Sequence, residues 1–304
     1  MNKAVASAPA KVNLAFKVGP LADDGYHEVA SAYLGLNLRD RVSVSIDTEW
    51  SVSVGGSLSE QQLSMVPLDE SNLTIQAIKK LAGWANLKSF PPLRVDIEKH
   101  IPVAGGMAGG SADAAAALVA ANELLGCRLT ASQLQKFSVE IGSDVPFALR
   151  GGFALGTGRG ENLSPLPLGQ SVHLVFVIDE QGLSTKAVYQ QLDSLRGSAQ
   201  IEQPTLSQTF LAAAAGASAA ELAANIVNDL QPVAISLRPS LADTIRIGLE
   251  MQALNGFVSG SGPTVAFICA DADSAVQLQQ QFQQLGHTAV VATDSPTGAR
   301  IEAS

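Results

Sequence analysis

Cysteine is nearly absent from this 304-residue chain: Cys127 and Cys269 stand alone and far apart. Two thiols without close spacing build neither a disulfide framework nor a zinc site. Both lie in apolar surroundings, as buried structural residues do, and a reducing cytoplasm fits them. Basic residues are also in short supply, with 19 Lys and Arg against 28 Asp and Glu and a net charge of −9. Binding a phosphate backbone needs a basic face, so nucleic acid is excluded as the main partner, while one local basic pocket still suffices for a nucleotide. No stretch approaches the roughly 18 consecutive apolar residues of a membrane span. The small residues up to Ala8 make too short and weak a run for a signal peptide, and Pro9 and Lys11 interrupt it. There is no internal repeat.

What is present is a large apolar fraction, 46% against 15% charged, enough for a sizeable core in two ordinary domains or one large one. Alternation predicts strands over 12–18, 29–38, 41–46, 50–54 and 93–97, and a helix over 72–85. Thr130 and Gln133 form a capping-box pattern for a helix to about residue 141. Residues 151–158 read as a glycine-rich strand or turn, and 160–170 as a domain boundary. Beyond it come a strand at 172–178 and helices at 185–195, 206–214, 219–226, 232–236 and 239–253. Short strands at 257–259 and 264–269 flank Gly260-Ser261-Gly262-Pro263, and a helix at 274–285 and a strand at 288–292 close the pattern.

The most informative segment is Pro102-Val103-Ala104-Gly105-Gly106-Met107-Ala108-Gly109-Gly110-Ser111, which runs into an alanine- and leucine-rich helix ending near Gly126. Bare backbone N–H groups in a glycine loop, together with the unpaired N–H groups and positive dipole end of a helix start, make a phosphate cradle. The segment lacks the Gly-Lys-Ser/Thr ending of a Walker P-loop and the Gly-x-Gly-x-x-Gly spacing of a dinucleotide fold. Glycines alone read equally as a turn before a tightly packed helix; Ser111 and the apolar strand before the loop favour phosphate.

Other residues carry two readings each. Lys11, inside an apolar strand, is by itself more often the exposed face of an edge strand. Asp144, in Gly142-Ser143-Asp144-Val145-Pro146, is by itself a helix N-cap. Phosphoryl transfer to an alcohol needs an acceptor for the hydroxyl proton and cations around the phosphates, which a lysine–aspartate pair supplies. Tyr26 and His27 follow a tight turn; a core tyrosine and a surface histidine are the plain reading, and stacking on and hydrogen bonding to a base is the functional one. Gly260–Pro263 is either a hairpin turn or a second set of N–H groups near a substrate.

Taken in order, Lys11, the Gly105–Ser111 loop, Gly142–Pro146 and Ser259–Pro263 resemble the GHMP small-molecule kinases over nearly the full chain. Ala8–Leu14 followed by Asp24-Gly25-Tyr26-His27-Glu28 is similar to the branch of that superfamily that phosphorylates the 2-hydroxyl of diphosphocytidyl-methylerythritol with ATP, in the non-mevalonate route to isoprenoids. The resemblance implies an α+β GHMP kinase fold with a ribosomal-protein-S5-domain-2-like N-terminal half and a ferredoxin-like C-terminal half. Residues 1–165 would bind ATP, 166–304 would complete the substrate site, and the active site would lie between them. It further implies Asp144 as proton acceptor and Lys11 as its cationic partner. ATP would be held by Pro102, Val103, Ala104, Gly105, Gly106, Met107, Ala108, Gly109, Gly110 and Ser111, with Asn72 and Lys99 at the adenine. Tyr26, His27 and Tyr189 would enclose the cytosine, and Asn13 and Thr185 would touch the substrate. Mg²⁺ is expected with ATP. The extra carboxylate that other members use to hold it is not placed in this sequence, and Ser111 is the candidate ligand. A cytoplasmic monomer or homodimer is expected, with no membrane partner. The alternatives are a GHMP kinase for another alcohol, of mevalonate, homoserine or sugar type, and a non-catalytic nucleotide sensor, which would be expected to lose Lys11 or Asp144.

Overall fold

The first two strands are far longer than alternation alone predicts. In the structure, a computed structural model that describes residues 2–179 and 181–303, β1 runs Lys3–Leu21 and β2 His27–Ile46. Alanine and serine interrupt the apolar alternation in both strands, yet their small side chains fit a buried sheet, so pairing continues through them. The pairing carries irregularities between Pro9 and Lys11 and between Asn13 and Ala15. Bulges of this kind re-aim side chains next to active sites.

β3 (Ser51–Gly56), α1 (Glu60–Ser64), α2 (Leu73–Trp84) and β4 (Leu93–Lys99) follow. Next come α3 (Gly109–Leu124), α4 (Ala131–Ser138), α5 (Val145–Arg150), β5 (Phe153–Thr157) and β6 (Asn162–Pro165). The capping box of Thr130 and Gln133 starts α4. α3 is buried along most of its length, with Ala112, Ala114, Ala115, Ala116 and Ala117 fully inaccessible. Alanine gives it helix propensity without bulk, so it lies close against β1, β2 and α2.

The remaining elements are β7 (His173–Ile178), α6 (Thr185–Arg196), α7 (Gln208–Gly216), α8 (Ala219–Ala224), β8 (Val227–Asn228), α9 (Gln231–Leu237) and α10 (Ser240–Glu250). The chain closes with β9 (Asn255–Val258), β10 (Val265–Cys269), α11 (Ala272–Gln284), β11 (Thr288–Thr293) and β12 (Arg300–Ile301). Among the described residues the sheets are two. A four-stranded antiparallel sheet in the order β11-β7-β10-β9 carries the C-terminal half, the ferredoxin-like arrangement. An eight-stranded sheet runs β12-β1-β2-β4-β3, with β5 also on β2, β6 on β5 and β8 on β1.

The halves are more interwoven than a cut at residue 165 implies. β8 and β12 come from the second half and pair with β1. One apolar core also takes in Leu14 and Leu118 together with Leu174, Phe176 and Phe210. Each such fully buried side chain contributes about 1.5–3 kcal/mol, so the two sheets share much of what holds them.

Candidate active site

The glycine loop does its work with backbone. α3 begins after Ala108, whose φ of 60° is left-handed and whose side chain cannot cap. The first N–H groups of the helix are therefore free of a side-chain acceptor and available to an anion. Ala104 (φ 55°) shares the left-handed conformation, which costs an alanine about 1–2 kcal/mol. Met107, fully buried, anchors the loop in the core, and its carbonyl accepts the backbone N–H of Lys11 at 3.1 Å. Gly106 (φ 70°) lies so close to the β9–β10 turn that a Cβ there would fall 2.4 Å from the Ser259 carbonyl oxygen. The second glycine segment, Gly260–Pro263, is thus brought against the first.

Lys11 is not on an exposed edge. It is 7% exposed, on a strand paired on one side along most of its length with β2. Its Nζ donates to Asn13 Oδ1 at 2.8 Å, and Asn13 Nδ2 donates to Ser31 Oγ at 2.6 Å. Asp144 occupies the N-cap position of α5 but its carboxylate makes no cap hydrogen bond. It faces Lys11 instead, with Oδ2 3.9 Å from Nζ. Both line a cleft of about 1350 Å³, together with Pro102, Ala104–Gly106 and Ala108–Gly110 of the loop. That volume exceeds the roughly 300–1,000 Å³ of a one-ligand pocket and suits two substrates side by side.

Further along the same cleft lie Tyr26, His27, Thr185 and Tyr189. His27 stacks on Tyr189, with ring centroids 5.2 Å apart and an interplanar angle of 24°. Tyr26 is 55% exposed, an open aromatic face. Thr185 and Ser261 share a hydroxyl–hydroxyl hydrogen bond of 2.9 Å. Burial, reinforced by the Asp144 carboxylate, pushes the Tyr189 phenol up to about 12. The same causes, in the same order, push Tyr33 well above the usual phenol range. Both remain neutral donors beside Asp144 and do not compete with it as anions.

The two residues expected at the adenine have their side chains engaged elsewhere. The Lys99 side chain is 1% exposed, and its Nζ is ion-paired to Asp40 and, at 2.8 Å, to Asp113. Its ammonium faces these carboxylates beneath Gly109 and not the cleft. Burial lowers the Lys99 pKa and its two carboxylates raise it, with a net upward shift; burial drives Asp113 well above the usual carboxylate range despite Lys99. Asn72 is likewise committed. It caps α2, its Oδ1 accepting from Thr74 N at 2.9 Å and its Nδ2 donating to Pro67 O at 2.6 Å. Local chain chemistry takes Asn72, and the long-range partner Asp40 takes Lys99. The side chains of Val103, Met107 and Ser111 also fall outside the cleft lining.

Three residues in the cleft carry no signal strong enough to single out in sequence. Tyr33 lies under Lys11, whose Nζ is 5.5 Å from the ring centroid. The Arg159 guanidinium lies 3.7 Å from the centroid of Tyr26 and donates to Asp24 Oδ2 at 2.6 Å. Asp193 approaches His27. The last had an available clue: Tyr189 and Asp193 are four apart on one helix face.

Among the described residues no group of three or more His, Cys, Asp or Glu is placed to hold a metal.

Comparison with known proteins shows the family. Residues 72–152 match the GHMP kinases N terminal domain, and residues 210–288 match GHMP kinases C terminal. The chain is 45% identical over 299 residues to the 4-diphosphocytidyl-2-C-methyl-D-erythritol kinase of Rhodococcus jostii, covering 98% of this chain and 94% of the relative. It is 45% identical to the protein of the same name from Streptomyces avermitilis, covering 96% and 97%. A crystal structure of 4-(cytidine 5'-diphospho)-2C-methyl-D-erythritol kinase superposes with a TM-score of 0.76 at 26% identity, over 96% of this chain and 98% of that one. The homoserine kinase from Cytophaga hutchinsonii shares the fold at a TM-score of 0.74 and 19% identity, over 99% and 98%.

Proposed function

This chain belongs to the 4-diphosphocytidyl-2-C-methyl-D-erythritol kinases of the GHMP family and is an ATP-dependent phosphotransferase, and we propose that its cleft passes the γ-phosphoryl group of ATP to the 2-hydroxyl of diphosphocytidyl-methylerythritol. The observation that carries the residue assignment is the Asp144 carboxylate, left uncapped and turned towards Lys11 across from the glycine loop.

An aliphatic alcohol is too weak an acid to ionise first. Asp144 orients the hydroxyl and takes its proton late, as the new phosphorus–oxygen bond develops in a loose transition state. Lys11 stands 3.9 Å from the Asp144 carboxylate and steadies charge on the γ-phosphoryl oxygens. Holding acceptor and phosphoryl group in line supplies much of the rate, and the N–H groups of the glycine loop stabilise the phosphate charge. Mg²⁺, carried on the phosphates, would neutralise part of that charge.

Tyr26, His27 and Tyr189 make the base pocket, with Asn13 and Thr185 towards the acceptor. An aromatic pocket of this kind favours a nucleotide-bearing alcohol over mevalonate, homoserine or a sugar, and the presence of both Lys11 and Asp144 disfavours a silent sensor. A reducing cytoplasm suits the unpaired thiols of Cys127 and Cys269. The test is a substrate panel with ATP and Mg²⁺, followed by ADP release. Turnover is expected with diphosphocytidyl-methylerythritol; no turnover there, with brisk phosphorylation of another alcohol, overturns the reading.

A further inference from the structure

The glycine turn between β9 and β10 is supported from two sides. Ser259 Oγ donates to the carbonyl of Gly106 at 3.2 Å, which fastens the turn to the phosphate loop. From the other side comes Asn228, a buried side chain on β8 that is not part of the cleft lining. Its Oδ1 accepts the backbone N–H of Leu230 at 2.9 Å. Its Nδ2 donates to two carbonyls at the turn, those of Val258 at 2.8 Å and Gly260 at 2.7 Å. Carbonyls only accept, so this network fixes which end of the amide carries the hydrogens, and both hydrogens are used. β8 itself pairs with β1 at Ala15 and Phe16, just beyond Lys11 and Asn13 on the same strand.

What Asn228 fixes is the direction of one peptide. The bond between Gly260 and Ser261 is trans, and a trans peptide points its C=O and N–H to opposite sides. The Gly260 carbonyl is turned inward to Asn228. The N–H of Ser261 therefore points the other way, to the side where Gly260, Ser261 and Gly262 line the cleft. Among the described residues that N–H meets no acceptor. The turn also stands next to the reacting centre: a Cβ on Gly260 would lie 3.4 Å from Asn13 Oδ1 and 3.8 Å from Lys11 Nζ. We propose that Asn228 is a positioning residue for phosphoryl transfer, which aims the Ser261 N–H at the phosphoryl group as it passes Lys11. The inference rests on the reading of the cleft as the site of that transfer.

The physical gain is preorganisation. Charge on phosphoryl oxygens is stabilised best by donors already in place, which need not turn during the reaction. A turn with glycines on both sides of Ser261, at φ of 57° and 80°, has conformational freedom to lose. One buried amide that takes both carbonyls removes that freedom. Asn228 touches no substrate itself and acts through Gly260. A neighbour supplies the contrast. Gln231 Oε1 accepts the N–H of Val258 at 2.9 Å. It ties the same strand to the same segment of chain but leaves the Gly260–Ser261 peptide alone.

The experiment measures turnover of diphosphocytidyl-methylerythritol with ATP in Asn228→Asp, Asn228→Ser and Gln231→Ala. Asn228→Asp keeps the shape and puts an oxygen against the two carbonyls. Asn228→Ser is milder and keeps one donor. Asn228→Asp should lower kcat by about tenfold to a hundredfold, the scale of a misplaced group at a reaction centre, with both KM values within a few-fold. Asn228→Ser should fall between it and wild type. Gln231→Ala should lower the urea midpoint and keep kcat. An equal loss of kcat in Gln231→Ala would overturn the inference, because Asn228 would then only hold β9 in place. So would an unchanged kcat in a folded Asn228 variant. A second measurement needs no variant. Followed by NMR, the Ser261 amide of wild type should shift and become protected from exchange when a non-hydrolysable ATP analogue and the cytidine substrate are both bound. An amide that does neither overturns the inference. Failure of wild type to turn over the cytidine substrate would instead overturn the reading of the cleft itself.

Discussion

Lys11 Nζ stands 3.9 Å from Asp144 Oδ2 while donating to Asn13 Oδ1 at 2.8 Å. The ammonium is held by the asparagine, not locked to the carboxylate, so the carboxylate keeps its own lone pairs for a hydroxyl. Asp144→Asn should therefore lower kcat by about 10²–10⁴-fold, the usual worth of a positioned base, with KM for ATP within a few-fold. Steady-state kinetics with both substrates varied checks this. Unchanged kcat would remove Asp144 from the chemistry.

Gly106 makes the loop's fit to the β9–β10 turn possible. Gly106→Ala puts a Cβ 2.4 Å from the Ser259 oxygen at a φ of 70°. The backbone strain alone costs about 1–2 kcal/mol, and the clash forces the two glycine segments apart. A lower urea midpoint and a raised KM for ATP are expected together. Gly110→Ala is the control, since its nearest neighbour is a Leu73 methyl at 3.6 Å; it should keep stability close to wild type.

Lys99 belongs to the framework under the phosphate loop. It ties Asp40, which also accepts the N–H of Ile101 at 2.8 Å, to Asp113 in the first turns of α3. Lys99→Met leaves two buried carboxylates without their counter-charge, and losing one partner of a buried pair costs about 3–5 kcal/mol. The urea midpoint should fall sharply. Loss of ATP affinity in a variant of wild-type stability would instead return Lys99 to the adenine site.

How much of this was legible in sequence differs by residue. The glycine loop and the capping box of Thr130 are local features, and they appear where local chemistry puts them. Lys11 on its own reads as an edge-strand lysine, and only pairing with a strand some twenty residues on buries it. Asp144 reads as a cap, and the fold leaves the cap unmade. Lys99 is placed at the adenine by the resemblance alone, and its partner Asp40, 59 positions away, lies beyond any spacing rule. β8 and β12 are two-residue strands, too short for any periodicity to register, so their return to the first sheet was invisible. The order of the elements and the cleft followed from resemblance along the whole chain.

Arg159 braces the exposed face of the base pocket. Its guanidinium covers one face of the Tyr26 ring at 3.7 Å and pairs with Asp24, which also accepts the Tyr26 backbone N–H at 3.0 Å. The hydrogen bond from Arg159 is the largest cause holding the Asp24 carboxyl below its usual range. Arg159→Ala frees the turn, so KM for the cytidine substrate should rise several-fold while KM for ATP holds. Arg159→Lys should recover little, since an ammonium cannot stack as a planar guanidinium does.

Tyr189 makes the protein sensitive to alkali. Burial and the nearby Asp144 carboxylate raise its phenol from an ordinary 10.0 to about 12 in the folded chain. The folded state thus holds a proton that the unfolded chain gives up first. Its contribution is complete below pH ~10 and is lost as pH rises through the folded value. The raised pKa corresponds to no more than about 2 kcal/mol, because the ring is only partly sequestered from the cleft. Tyr189→Phe keeps the ring against His27 and removes the ionisable oxygen. Urea unfolding at pH 8 and pH 11 should show wild type losing more stability between the two than the variant does. Equal losses would mean that the Tyr189 hydroxyl already exchanges its proton with solvent as freely as in the unfolded chain.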